Sequence, residues 1–102
     1  MRGEATILID GVAHTLRPSF DALVRAEEEL GPLFALVERA GEGQLRLTEI
    51  AALFFHCLAR PGPGRDAVGG AVLAMGLAEA AKPLRALLGE ILRGKPPSAS
   101  SG

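Results

Sequence analysis

The sequence predicts a mainly α fold (α+β), with an N-terminal β-hairpin packed on a bundle of four to five short helices. Three observations point to it. Residues 4–17 hold two β-rich runs around Asp10-Gly11, a dipeptide favoured in two-residue hairpin turns because both positions take positive φ. Downstream, apolar residues recur at helical spacing in five segments. Glycine and proline punctuate the joints, as at Gly31-Pro32, Gly41-Glu42-Gly43, residues 61–64 and Gly76. With 102 residues and 48% hydrophobic content, the chain suits one small packed domain, expected over residues 1–93. Residues 94–102, GKPPSASSG, offer no apolar content to bury and are expected to form a disordered tail.

The hairpin register follows from its turn. Ile9 pairs with Val12, Ile7 with His14 and Ala5 with Leu16. Ala5, Ile7, Ile9, Val12, His14 and Leu16 then share the core face, which the first and third helices are expected to cover. Glu4, Thr6, Leu8, Ala13, Thr15 and Arg17 share the other face, with Glu4 opposite Arg17. Neither strand edge has an evident partner within the chain, and open edges invite pairing.

The helices are expected at about 20–30, 32–40, 49–60, 67–75 and 77–93. Ser19, Thr48 and Asp66 are the expected N-caps of the first, third and fourth. Gln44 to Leu47 alternate and suggest a short extended stretch. The first stripe is Phe20, Leu23, Val24 and Leu30, with Ala26 at its border; the second is Leu33, Leu36, Val37 and Ala40. Ile50, Leu53, Phe54, Cys57 and Leu58 form the third. Because Ala51, Phe55 and Ala59 widen it, this helix should be the most buried. The fourth stripe is Val68, Val72 and Met75, and Gly69-Gly70 within it suggests close backbone packing. The fifth is Leu77, Ala81, Leu84, Leu88, Ile91 and Leu92, with Pro83 expected to kink or restart the helix.

Little in the composition supports catalysis. Cys57 is the one cysteine, so an internal disulfide or multi-cysteine zinc site is excluded, and its apolar setting reads as buried structure. No HExxH pair or P-loop occurs, and no cofactor or metal is expected. His14 reads as a half-buried, hydrogen-bonded residue, and His56 as a surface or domain-edge residue near Arg60 and Glu49. Glu27 falls inside the first stripe. It reads as a tie to Arg17, to His14 or to a backbone N–H at a helix start, as an exposed helix-edge residue, or as a buried acid in a site.

Net charge is −1, and no helix presents side chains suited to reading base edges, so nucleic acid is not an expected partner. Charge is uneven: residues 1–55 carry five Arg against nine Asp and Glu, whereas residues 56–102 carry six Lys and Arg against three acids. This would suit head-to-tail contacts between copies, but a scattered solvated surface is the simpler account. No window of about 18 apolar residues exists, so a membrane is not an expected partner either. Asp10 interrupts the only early apolar run, which argues against a signal peptide.

Over GEATILIDGVAHTLRPSFDALVRAEEELG the chain resembles the tail assembly chaperone family of gene transfer agents and related prophages, which is also labelled a phage tail tube protein. The resemblance rests on the order Asp10-Gly11, Arg17-Pro18-Ser19-Phe20, Ala22-Leu23, Glu27-Glu28 and Leu30-Gly31, followed by GQLRLTEIAALFFHCL and GGAVLAMGL. It spans roughly residues 3–77, and Ala26 departs from it where a bulkier apolar residue is expected.

The resemblance implies a non-enzymatic role in building a phage-like tail, in the cytoplasm of a bacterial cell carrying the gene cluster. The first expectation is a chaperone that binds the tail tape measure protein or tube subunits. The alternative is a structural tube or connector component retained in the particle. A homo-oligomer is compatible with either. Partner contacts are expected on the hairpin edge, at Thr6, Leu8, Ala13 and Thr15, and on the last two helices, at Val72, Met75, Leu77, Leu84 and Leu88.

Overall fold

Asp10 and Gly11 both take positive φ, 52° and 79°, which closes the hairpin in the tight turn that Asp-Gly favours. The computed structural model describes residues 5–93; Glu4 and the tail expected at 94–102 lie outside the described residues. The element order is β1 (Ala5–Ile9), β2 (Val12–Leu16), α1 (Phe20–Leu30), α2 (Leu33–Gly41), α3 (Leu47–His56), α4 (Arg65–Met75) and α5 (Leu77–Arg93). The architecture is thus mainly α with an N-terminal hairpin. β1 and β2 pair antiparallel in the expected register, Ala5 with Leu16, Ile7 with His14 and Ile9 with Val12.

The helix ends follow local chemistry. Ser19 caps α1, its Oγ accepting the Ala22 N–H at 3.2 Å, and Gly31 at φ 87° closes it by donating to the Glu27 carbonyl at 2.9 Å. Two expected caps move. Arg46, not Thr48, is the N-cap of α3, and Glu49 reaches back to accept the Arg46 N–H at 2.9 Å. Gly64 is the N-cap of α4, with Asp66 inside its first turn, where an acid suits the helix dipole. Gln44 and Leu45 belong to no strand.

α3 is the central helix: Ile50, Ala51, Ala52, Leu53 and Phe54 are all buried, and Cys57 follows them into the core. The hairpin is covered differently from expectation. The main packing partners of β1 are α4 and α5, which the sequence pattern did not mark as its cover. The α4 and α5 faces supply Val68, Ala71, Val72, Ala80, Leu87 and Leu88 to the same core as Ile7, Ile9 and Leu16. Each buried large aliphatic chain there contributes about 1.5–3 kcal/mol relative to exposure.

Two stripes are rotated relative to their expected positions. In α1 the buried centre is Ala22 and Ala26, with Leu23 and Leu30 beside it, while Phe20 is 85% exposed. Alanine at position 26 lets α1 approach the core closely, which is why no bulkier residue is needed there. In α5 the stripe centres on Ala80, Leu87 and Leu88, leaving Leu77 and Leu92 exposed. The helix runs on through Pro83 without restarting. Val12, expected in the core, is 57% exposed because the hairpin tip projects past its cover. Gly69 and Gly70 have no close neighbour: a methyl group added at either would meet nothing within 4 Å. Among the described residues no single helix is long and apolar enough to cross a membrane; α4 and α5 reach that length only together, bent by 118° at their junction.

Candidate functional site

The two edges of the hairpin are unequal. Ile9 and Val12 flank the turn as a hydrogen-bonded pair, so the alternation of an antiparallel ladder turns the backbone of Thr6 and Leu8 outward from β1, and that of Ala13 and Thr15 outward from β2. On β2 only the C-terminal end of this edge is occupied, and no described residue pairs with the outward groups of Ala13 or with the Thr15 N–H. Arg17 N–H donates to the Cys57 carbonyl at 2.6 Å, and Ala59 N–H donates to the Thr15 carbonyl at 2.9 Å. Leu16 and Leu58 form an antiparallel bridge between them. The expectation that both edges lack an internal partner is therefore corrected for β2. A segment some forty positions along the chain satisfies it, which no local pattern reveals.

On β1, no described residue pairs with the outward groups of Thr6 and Leu8. Leu8 is 61% exposed. Beside this edge runs an open groove of about 470 Å³, walled by β1 on one side and by Ala71, Ala74, Met75 and Pro83 of α4 and α5 on the other. Glu79 and Lys82 pair across its rim at 3.2 Å, so the groove carries little net charge.

Of the expected contact residues, Thr6, Leu8 and Ala13 are exposed on the hairpin and Thr15 is half-buried. Leu77 is exposed, while Met75 and Leu84 are half-buried against the core. Val72 and Leu88 are 0% and 9% exposed and belong to the core itself, so they present no surface to a partner.

The histidines and Glu27 have defined surroundings. His14 is half-buried beside Arg17 and Arg60, and no described residue hydrogen-bonds its ring, contrary to expectation. Glu27 is exposed at the helix edge, and its Oε2 accepts the Leu33 N–H at 3.1 Å, tying α1 to the start of α2. That is one of the ties foreseen from sequence.

His56 is not the simple surface residue expected. Its Nε2 lies 2.8 Å from Glu29 Oε1, and Arg65 Nη1 donates to Glu29 Oε2 at 2.6 Å. The Arg65 guanidinium also lies 4.8 Å above the Phe55 ring. Glu29 thus gathers α1, the end of α3 and the start of α4, joining an acid of the front half to a base of the rear half. Spacing gives no sign of this group, because Glu29 lies off the apolar stripe of α1 and its partners lie 27 and 36 positions away. The Arg65 and His56 hydrogen bonds hold its carboxyl below the usual carboxylate range. The backbone hydrogen bond from Arg46, reinforced by Arg39 at 2.8 Å, does the same for Glu49. Burial pushes the Cys57 thiol up to about 12, so it is a poor nucleophile. No group of three or more His, Cys, Asp or Glu among the described residues is placed to hold a metal ion.

What the arrangement offers is backbone hydrogen bonding along β1 and apolar contact in the groove beside it, the parts of an interaction module. A family model described as "Phage tail tube protein, GTA-gp10" matches residues 2–94, and the chain belongs to that family of phage tail proteins. The match extends beyond the stretch that carried the resemblance, through α5. The family's description fits the structural alternative at least as well as the chaperone reading. No curated protein and no solved structure matches the chain.

Proposed function

We propose that this protein is a structural component of a phage-like tail that joins a neighbouring tail subunit by strand addition at β1. The supporting observation is the open edge of Thr6 and Leu8 alongside a preformed groove. An added strand would gain main-chain hydrogen bonds from β1 and could place alternate side chains between α4 and the sheet. The family description supports a place in the tube or its connection.

One observation favours a second reading, that of an assembly chaperone for the tape measure protein or tube subunits. The described residues hold one two-stranded sheet, a small basis for a tube wall. Exposed Leu8, Leu73 and Leu77 would suit a transient apolar client.

Mass spectrometry of purified particles separates the two. A structural component is present in a fixed ratio to other tail subunits. A chaperone is depleted from particles but co-purifies with tail proteins before assembly. Particles assembled normally without this chain would overturn both.

A further inference from the structure

We propose that residues 57–64 form a removable strap over the outer edge of β2, latched at both ends by Glu29. The residue just before the strap is His56 and the residue just after it is Arg65. One carboxylate holds both, at 2.8 and 2.6 Å. Between these stems the strap makes the two backbone hydrogen bonds, with Thr15 and Arg17, that cover the C-terminal end of the β2 edge.

The strap is built to pair briefly and let go. After Ala59 it runs Arg60-Pro61-Gly62-Pro63-Gly64, and neither proline can donate to a ladder. Pro61, Gly62 and Gly64 are exposed, so little apolar burial holds this part in place. Two of the three latch side chains are well exposed, Glu29 at 40% and Arg65 at 45%, while His56 is 13% exposed. Only Cys57 and Leu58, at the strap's root, face the core.

The consequence is a choice of valence. With the strap closed, the C-terminal half of the β2 edge is covered, and β1 is the edge open along its whole length among the described residues. With the strap open, the Thr15 carbonyl and Arg17 N–H become available as well. The hairpin could then take a strand on each side and propagate pairing. This holds whether the chain stays in the particle or leaves it.

Hydrogen exchange followed by NMR tests the strap in the full chain. In Glu29→Ala, the Arg17 and Ala59 amides should exchange about tenfold faster or more, while the Leu53 and Phe54 amides of α3 keep their protection. Glu29→Gln, which keeps one acceptor, should fall between. Ala59→Pro removes the strap's own donor without touching the latch, and should speed exchange at Arg17 alone. Unchanged protection of Arg17 and Ala59 in Glu29→Ala would overturn the latch. Acceleration spread equally over α3 would overturn the strap as a separable unit.

Discussion

The outer edge of β1 and the outer edge of β2 belong to one hairpin of five-residue strands, yet they meet different fates. β2 is covered at its C-terminal end by backbone from the loop after α3, where Leu58 bridges Leu16. β1 is left open beside the groove that α4 and α5 wall. The difference teaches that the helices bury the hairpin's inner face without settling its edges. Edge pairing is decided by one loop, and the chain spends that loop on β2 only.

The largest test of this contrast lies at the two leucines. Leu16 is 0% exposed, and Leu16→Ala should cost about 2–5 kcal/mol in urea unfolding. Leu8→Ala should stay within about 0.5 kcal/mol of the parent, because its side chain faces water. Similar losses at both would break the comparison. A smaller and opposite effect is expected in the helix that walls the open groove. Gly70→Ala should raise stability by about 1 kcal/mol, since alanine is the better helix former and its methyl meets nothing within 4 Å. Destabilisation there would mean that α4 packs more closely than described.

The latch beside the closed edge gives a pH signature. Glu29 and Glu49 have folded-state values below the ordinary 4.5, so each stabilises the fold above that value. The stabilisation is lost as pH falls from there through the lowered folded value. The urea midpoint should therefore drop on acidification below about 4.5, and drop less in Glu29→Gln. A midpoint equally sensitive in both would remove Glu29 from the account. The smallest stability effect belongs to Leu8→Lys, expected to melt like the parent while losing co-purification with tail proteins. Retained co-purification would move docking away from β1.

Much of the fold was legible because local chemistry dictates it. Asp10-Gly11 set the hairpin register, Ser19 and Gly31 bounded α1, and the near-continuous apolar surface of α3 marked it as central. The site was legible only in part. Thr6, Leu8 and Ala13 follow from alternation along the strands, and they are exposed as that pattern implies. Val72 and Leu88 did not separate from core, because an apolar residue on a helix looks the same whether its neighbour is water or a sheet. The cover by α4 and α5, the Leu58 bridge and the Glu29 group all join positions far apart in the chain, where spacing holds no information.

The central claim is the inequality of the two edges, and amide exchange in the unmodified protein measures it directly. Thr6 and Leu8 amides should exchange nearly as fast as free peptide, while Ile7, Ile9, Arg17 and Ala59 are protected. Protection of Thr6 and Leu8, or exchange of Arg17 and Ala59 as fast as theirs, would contradict it.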